Sequence, residues 1–390
     1  MTWNTIKLGD ACTVIAGGTP KRSVPTYWDG IIPWVKISDM LQGRITRTDE
    51  TISQAGLDNS AAKLLPSGTL LISIFATIGR TAVLGCEAAT NQAIVGVIPN
   101  DEKQFDLSFL EYSLKHKVID LKRQARGVAQ TNINGSILKA TTIPLPPLAE
   151  QKRIAGILDA ADALRKRRRE ALAQLDTLLQ STFLDMFGDP VTNPMGWEVC
   201  HASELAERIT VGIVVKPASH YVDHGVPALR SLNVRPNRIE LEKLVFFSHR
   251  DNETTLAKTR VWKNDILLVR SGQPGTAAIV PEELNGVNAI DLLILTPRED
   301  VVHTGYLCHY FNSAGGRKIV LGGQRGQIQK HLNVGVLKTS QIPLPPLDLQ
   351  QRFAAIVESV EQQKARMRTH LEELDTLFAS LQSRAFNGEL

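Results

Sequence analysis

The chain has 390 residues, a formal net charge of +4 and 43% hydrophobic residues, which predicts a soluble globular protein of two or three domains. Its apolar runs fall short of the roughly 20 residues that cross a bilayer, and its start lacks a basic segment followed by an apolar one, so we expect a cytoplasmic protein. The four cysteines stand apart without a CxxC pair, which argues against a zinc ribbon or a disulfide framework.

Residues 1–143 have the pattern of a mixed α/β (α+β) domain. Short apolar and β-branched runs, such as GTLLISIF at 68–75, alternate with segments rich in Gly, Pro and Asn. Such runs between turn residues are typical of strands. A helix is predicted over residues 107–123.

A proline-rich segment, IPLPPLAEQKR at 143–153, follows this domain. Its prolines are poorly tolerated inside a helix and favour extended backbone, so we predict a stiff, extended entry to the next element. That element is a helix of about 35 to 40 residues, in which Ile154, Ala161 and Leu175 follow a seven-residue spacing. We assign residues 144–189 to this hinge and to a first spacer helix.

The same order of elements then recurs. Residues 190–342 again have short strand patterns, such as DILLVR at 265–270, and a predicted helix near 306–319. Residues 343–390 again combine a proline-rich hinge with a long helix. In this second spacer helix the apolar residues that step by sevens are Phe353, Val360, Met367, Leu374 and Leu381.

Sequence identities show that the chain contains two diverged copies of one unit of about 195 residues. The hinge that begins at Ile143 recurs at Ile342, 199 residues later, with eight of eleven positions identical. GVAQTNIN and LDTL, which begin at 127 and 175, recur at the same distance as GQIQKHLN and LDTL. GRTAV, which begins at 79, aligns with GTAAI 196 residues later.

A sustained heptad spacing predicts that the two helices form a coiled coil. At 1.5 Å per residue each helix would be roughly 50 Å long or more. Antiparallel packing would place the two α/β domains at opposite ends, in a dumbbell with a pseudo-twofold axis. The alternative is that each helix is amphipathic and packs on a globular core.

Two similar domains on a rigid spacer suit a long, nearly twofold target such as duplex DNA. Because the two domains have diverged, each would read a different sequence. The arrangement therefore predicts an asymmetric, two-part recognition site with an unread gap.

The chain resembles the specificity (S) subunits of type I restriction–modification systems over its whole length. The resemblance is carried by the doubled PLPPLAEQKRI and PLPPLDLQQRF, each before a long helix. TLLISIFATIGRTAV, DILLVRSGQPGTAAI and GVAQTNIN add to it, as do the openings at Trp3 and at Trp197 after Gly196. In the second copy His331 replaces Asn132 of the first, which departs from the pattern.

The resemblance implies a set of partners. In such subunits two target-recognition domains each bind half of a bipartite DNA site, and the spacer helices dock two modification subunits. Those subunits carry S-adenosylmethionine and methylate adenine N6. Two restriction subunits, which use ATP and Mg²⁺, complete the nuclease, and the S subunit itself catalyses nothing.

The residues themselves show no catalytic motif. NPMG at 193–196 lacks the second proline and the aromatic residue of an NPPY-type methyltransferase motif, and there is no Walker A segment. His220 and His224 have helical metal-ligand spacing without a third ligand, so we interpret them as part of a surface loop. An enzyme, which would bind S-adenosylmethionine, and a scaffold whose heads bind proteins stay open as alternatives.

Candidate DNA contacts are loop residues that can donate to base edges or phosphates. In the first domain they are Lys21, Arg22, Tyr27, Lys36, Arg44, Arg80, Arg126, Gln130 and Asn132. In the second they are Lys216, His220, Tyr221, Arg230, Arg235, Arg238, Arg270, Gln273, Arg325, Gln327 and Gln329.

The basic run RKRRR at 165–169 lies in mid-helix and has two interpretations. Arg165 and Arg168 face the seam in part, and the other three point away. The outward residues would form a basic strip over DNA phosphates, or a solvated helix face paired with acids such as Glu372 and Glu373.

The hinges stay nearly identical while the domains diverge, so we expect them to present equivalent docking surfaces to two identical partners. The residues assigned to docking are Pro144, Pro146, Pro147, Gln151, Arg153, Pro343, Pro345, Pro346, Gln350 and Arg352.

Overall fold

A computed structural model describes residues 3–75, 77–101, 103–124, 133–322 and 331–390, with only the backbone for 119–124. The chain divides into two compact units, Met1–Arg169 with Thr369–Leu390 (unit 1) and Glu170–Arg368 (unit 2). Within the described ranges, no helix combines the length and the apolar character that crossing a bilayer requires.

The described part of unit 1 begins with a mixed α/β region. Its strands are β1 Thr5–Lys7, β2 Cys12–Ala16, β3 Trp28–Val35, β4 Arg44–Ile45, β5 Glu50–Ile52, β6 Leu70–Ser73, β7 Thr81–Leu84, β8 Ala89–Thr90, β9 Ile94–Pro99 and β10 Thr142–Pro144. Its helices are α1 Leu8–Ala11, α2 Gln54–Asp58, α3 Leu107–Gln124 and α4 Gly135–Ala140. The helix predicted over 107–123 is confirmed.

The main sheet of unit 1 has the strand order β2-β9-β6-β7-β4, beside a smaller sheet with the order β5-β3-β8. Side chains alternate across a strand, so Leu70 and Ile72 of β6 face one core together with Leu110 of α3. Leu71 faces the opposite core together with Leu84. Both faces of the central strand are buried, which explains why its sequence is a continuous apolar run.

The first long helix, α5 Leu148–Phe187, is 40 residues long and leads from unit 1 into unit 2. The strands of unit 2 are β11 Glu198–His201, β12 Ala206–Val211, β13 Tyr221–Val222, β14 Val226–Leu229, β15 Val234–Arg235, β16 Arg238–Ile239, β17 Val245–Phe247, β18 Ile266–Val269, β19 Ala277–Ile279, β20 Asn288–Ala289, β21 Leu292–Pro297 and β22 Gln341–Leu344. Its shorter helices are α6 His249–Glu253, α7 Thr304–Asn312, α8 Ala314–Leu321 and α9 Val334–Thr339. The second long helix, α10 Leu347–Asn387, has 41 residues.

The main sheet of unit 2 has the order β12-β21-β18-β19, and it repeats the pattern of unit 1. Leu268 of β18 faces one core and Leu267 faces the other. The single helix predicted near 306–319 is wrong in one respect, because it is divided into α7 and α8 at Ser313. The Ser313 hydroxyl accepts a hydrogen bond from Gly316 N at 3.0 Å and caps the second helix.

The long helices pack against each other inside each unit. In unit 1 the first half of α5 contacts the last part of α10, since Arg153 donates to Leu390 O at 3.0 Å and Arg165 pairs with Asp375. In unit 2 Phe183 stacks edge-to-face on Phe353 at 5.6 Å between ring centroids. In both units residues early in one helix meet residues late in the other, so the predicted antiparallel packing is confirmed within each unit; the dumbbell shape stays a prediction.

Burial along both helices alternates in steps of three and four residues, as a coiled-coil seam requires. On α10 the buried or half-buried positions run from Phe353 through Val357, Val360 and Lys364. The predicted heptad spacing is therefore confirmed, with one charged residue inside the seam.

Candidate nucleic-acid interface

In unit 1 three loops converge at one end of the main sheet. They are residues 17–21 after β2, residues 74–80 between β6 and β7, and residues 91–93 before β9. Gly17 N donates to Ile94 O at 3.0 Å and Gly18 N to Thr90 O at 2.8 Å, which fixes the first loop to its neighbour. We call these three loops the loop end of unit 1. Ala76 is not included, because it lies outside the described residues.

Unit 2 has the same construction. Its loop end consists of residues 212–216, 270–276 and 290–291. Gly212 N donates to Leu292 O and Ile213 N to Ala289 O, each at 2.8 Å.

Both loop ends depend on a glycine at the start of the first loop. A Cβ atom at Gly17 would lie 2.2 Å from Asn91 O, and one at Gly212 would lie 2.2 Å from Ala289 O. A side chain at either position would push the loop away from the sheet. The two copies of the sequence therefore build the same backbone support and differ in the side chains it carries.

Five of the predicted DNA-contacting residues lie on the loop ends. They are Lys21 and Arg80 in unit 1, and Lys216, Arg270 and Gln273 in unit 2. Arg80 and Arg270 are only half-buried and are fixed by neighbours: Arg80 Nη1 donates to Ile37 O at 3.4 Å, and Arg270 Nη1 meets Asp291 Oδ1 at 2.6 Å.

The loop end of unit 2 also includes His331. Its Nδ1 lies 2.8 Å from Ser271 Oγ, and the next residue, Leu332, donates its backbone N–H to Arg270 O at 3.0 Å. His331 and Leu332 are therefore attached to the turn between β18 and β19. The sequence-predicted residues Arg126, Gln130, Asn132, Arg325, Gln327 and Gln329 lie outside the described residues.

Two predicted DNA contacts of unit 1, Arg22 and Lys36, form a local ion cluster with Glu50. The Arg22 guanidinium lies 3.7 Å from the centre of the Trp28 ring and pairs with Glu50. Lys36 Nζ lies 2.8 Å from the same carboxylate. Hydrogen bonds from Lys36 and Arg22 lower the pKa of Glu50, so this cluster carries less free positive charge than the sequence suggests. Arg44, by contrast, is exposed, and Tyr27 is half-buried.

The remaining predicted contacts of unit 2 lie outside the three loops of its loop end, on segments next to them. Ile290 N donates to Leu229 O at 2.8 Å, and Asn237 N donates to Ala277 O at 2.9 Å. Arg235 and Arg238 both pair with Glu240, at 3.1 and 2.7 Å, and Arg230 donates to Lys243 O. The hairpin of β15 and β16 borders a cavity of about 330 Å³ against Lys364 and other residues of the long helices.

His220 and His224 do not share a helix, in agreement with their interpretation as part of a surface loop. A short 3₁₀ helix ends at His220 and a strand follows it. His220 Nδ1 lies 3.2 Å from Asp251 Oδ2, and the neighbouring Tyr221 packs on Phe247. In the described part of the chain, no group of three or more His, Cys, Asp or Glu side chains is placed to hold a metal ion.

The hinge glutamines have an internal role. Gln151 is 1% exposed; its Oε1 accepts from Asp106 N at 3.0 Å, and its Nε2 donates to Pro146 O at 2.9 Å. In unit 2 the equivalent Gln350 is 0% exposed and makes the same two contacts, with His303 N at 2.8 Å and Pro345 O at 2.7 Å. Because both side chains are buried, we correct their assignment from partner docking to an internal role: they join the hinge backbone to the residue before α3 or α7.

The hinge prolines follow one pattern in both copies. Each hinge lies on a short strand pair, β1 with β10 and β11 with β22, which confirms the extended entry to the helix. The buried prolines are Pro144, Pro146, Pro343 and Pro345, and the exposed ones are Pro147 and Pro346. Arg153 and Arg352 also reach solvent, with side chains 45% and 73% exposed.

The repeated LDTL motif supplies an acid that sequence reasoning missed. In unit 1 Asp375 of the motif accepts from Arg165 Nε at 2.5 Å, and Arg165 also meets Asp162 at 2.7 Å. In unit 2 the equivalent Asp176 meets Lys364 Nζ at 2.6 Å.

Lys364 also pairs with Glu361, the equivalent of Asp162. Each unit therefore holds one seam cation between an acid of its own helix and an acid of the other. The recurrence of Asp within LDTL, 199 residues apart, was the signal for it.

These ion pairs show which residues of the basic run RKRRR face the seam. Arg165 and Arg168 face the seam as predicted, with Arg168 2.7 Å from His370 Nδ1. Arg169 does not point away, because it pairs with Asp375 at 2.9 Å. The acid is thus Asp375 rather than Glu372 or Glu373, and residues 166 and 167 are the exposed remainder of the run.

Known proteins resemble this chain over its full length. The family model described as "Type I restriction modification DNA specificity domain" matches residues 1–174 and 194–376. The MjaIX specificity subunit of Methanocaldococcus jannaschii is 24% identical, covering 100% of this chain and 93% of that protein. The EcoBI specificity subunit of Escherichia coli is 22% identical over 100% of this chain and 86% of its own.

One solved structure has a similar fold. It comes from work on complex assembly and conformational transition of the type I R-M system, and superposes with a TM-score of 0.60 at 20% identity, covering 100% of this chain and 98% of that one.

Proposed function

The chain belongs to the family of type I restriction–modification DNA specificity subunits, and we propose that each of its two units reads one half of an asymmetric, two-part DNA site. The observation that carries the proposal is the pair of loop ends. They share a glycine-anchored backbone, yet they carry different side chains. Two equally supported surfaces with different chemistry are suited to reading two different sequences.

The loop ends have the side chains that such reading needs. Lys21 and Lys216 occupy aligned positions at the ends of the first loops and are exposed, where they can neutralise backbone phosphates. Arg270 and Gln273 lie on the neighbouring turn of unit 2; arginine and glutamine are the side chains that bond guanine and adenine edges in the major groove. Fixed loops keep these groups oriented before binding, which reduces the entropic cost of association.

The hinges and long helices are the proposed docking surface for two methyltransferase subunits, through which the restriction subunits attach. Supporting this, Leu178 and Leu377 end the two LDTL motifs and are 49% and 48% exposed. Apolar side chains at equivalent exposed positions in both copies would give two identical subunits the same contact. S-adenosylmethionine, ATP and Mg²⁺ would then belong to the partners, and this chain would catalyse nothing. We expect the complex to act on DNA in the cytoplasm.

The test is to express the chain with a type I modification subunit of the same genome and to map N6-methyladenine across the host DNA. We expect one asymmetric two-part motif that disappears when the chain is left out. Gln273→Ala should relax one half of that motif and leave the other half unchanged, whereas Gln351→Ala, at an exposed helical position, should change neither half.

Two results would overturn the proposal. One is a complex that purifies intact but adds no methylation. The other is tight binding of S-adenosylmethionine by the purified chain alone, which an enzyme predicts and a pure specificity subunit does not.

A further inference from the structure

We propose that Val214 and Val215, on the loop end of unit 2, contact the 5-methyl group of thymine in the half-site that this unit reads. The inference rests on the proposed function, since it names the base feature that one of the two units contacts. It starts from an unusual exposure: Val214 is 49% and Val215 74% exposed. Single exposed apolar residues are ordinary, but two consecutive valines on a fixed loop need a reason.

The loop that carries them is held at both ends. Ile213 N donates to Ala289 O at 2.8 Å and Asp291 N donates back to Ile213 O at 3.0 Å. On the other side Lys216 takes the left-handed conformation, with φ 43°, and Pro217 follows it in a 3₁₀ turn. The backbone is thus anchored before the valines and turns after them, and β-branched side chains have little rotamer freedom to lose on binding.

The surroundings of the valines suit nucleic acid. Lys216 follows them directly and is exposed, and Arg270 lies on the neighbouring loop of the same end, anchored by Asp291. Ser271 and His331 add hydroxyl and imidazole groups beside it. In the major groove the thymine methyl is the one apolar group on a base edge, and it lies between rows of phosphates. A small apolar patch bordered by cations matches that arrangement.

The equivalent loop of unit 1 has different chemistry. Thr19 and Pro20 stand where unit 2 has Val214 and Val215, and the Thr19 hydroxyl is hydrogen-bonded to the side chain of Gln92. Unit 1 therefore has a half-buried hydroxyl group and a buried proline at this position, whereas unit 2 has exposed methyl groups. The difference follows directly after the backbone hydrogen bonds that the two units share, as expected for residues that set different half-sites.

The experiment measures binding of the complex with its modification subunits to duplexes that contain the mapped site. Each thymine is replaced in turn by uracil, which removes only the 5-methyl group. We expect uracil to weaken binding about fourfold at one or two positions of one half-site, the equivalent of about 0.8 kcal/mol for one buried carbon. The double variant V214A/V215A should bind the thymine and uracil duplexes equally.

Two controls keep the result specific. Val199→Ala removes the same atoms from a valine that is 47% exposed on β11, and it should keep the fourfold preference. V214T/V215T keeps the shape of the loop and replaces one methyl group of each residue by a hydroxyl group, so it should lower the preference without loss of folding.

Each outcome decides. Absence of sequence-specific binding to any duplex would overturn the proposed function and this inference with it. Specific binding without a uracil effect at any thymine, or with the same effect in V214A/V215A, would overturn the inference and leave the proposed function standing. Failure of V214A/V215A to assemble with the modification subunits would assign the valines to a protein contact and overturn it as well.

Discussion

Replacing Gln350 by methionine tests whether the duplicated hinge is held together from inside each unit. Methionine has nearly the shape of glutamine but neither its donor nor its acceptor. In the native structure Gln350 Oε1 accepts from His303 N at 2.8 Å, and Nε2 donates to Pro345 O at 2.7 Å. The side chain is 0% exposed, so water does not replace these bonds.

The expected cost follows from the two backbone groups that lose their partner. A buried donor or acceptor left unsatisfied costs about 1–3 kcal/mol. His303 N–H and Pro345 C=O together therefore predict a loss of about 2–6 kcal/mol in the stability of unit 2. Gln151→Met should produce a loss at least as large in unit 1, where Asp106 N, Pro146 O and Gln104 O are the groups concerned.

Two measurements are made: urea unfolding, and hydrogen exchange of the native protein. Hydrogen exchange reports the opening of the hinge and of the start of α7 separately from the rest of the chain. Gln351→Met is the matched control, because this neighbouring glutamine is exposed. The reasoning is refuted if Gln350→Met and Gln351→Met unfold at the same urea concentration and exchange the His303 amide equally fast.

Three further predictions concern the long helices and His309 of α7, which packs on Phe353 of the second long helix. Lys364→Glu places a third carboxylate in the seam beside Asp176 and Glu361, so it should destabilise unit 2 by on the order of 3 kcal/mol. Adding Asp176→Lys to the same chain should recover most of that stability in thermal unfolding, and no recovery would contradict the pairing. Burial lowers the pKa of His309 from 6.5 to about 4, and the nearby Lys364 charge lowers it further. The folded protein therefore has its full stability above pH 6.5 and loses up to about 3 kcal/mol of it as the pH falls to 4, because the unfolded chain takes up the proton first. His309→Leu should flatten that part of the curve of stability against pH, and an unchanged curve would refute the assignment. Replacing residues 166 and 167 with glutamine should lower the salt slope of DNA binding by up to about 2 without changing the methylated motif, if they contact phosphates; an unchanged slope would indicate a solvated helix face.

The architecture could be predicted from sequence because it depends on long periodic signals. The heptad spacing of both long helices, the doubled hinge and the doubly buried strands follow from patterns that span many residues. The break at Ser313 was missed because it depends on one capping hydroxyl and on a close approach: a Cβ at Gly316 would lie 1.9 Å from Tyr310 O. Local events of this kind leave a weak pattern in a single sequence.

The candidate interface was predicted less well, because charge alone does not say whether a residue is free. Arg22 and Arg235 have the same sequence character as Lys21 and Lys216, yet Arg22 pairs with Glu50 from a later segment and Arg235 with Glu240 across a hairpin. Such pairing depends on how the backbone folds, which composition does not contain. Val214 and Val215 are not among the contacts predicted from sequence, since apolar residues in a strand-like run are ordinarily assigned to a core.

The near-identity of the two hinges has an explanation that requires no partner. The buried glutamine bonds the backbone of the extended segment and of the residue before α3 or α7 in each unit, which gives both copies a structural reason to keep it. The same holds for the LDTL aspartates, which hold the seam cations Arg165 and Lys364. Sequence identity between the copies therefore does not by itself indicate docking. The positions that bear on docking are those that are equivalent and also exposed, such as Leu178 and Leu377, because packing inside the chain covers only about half of these side chains.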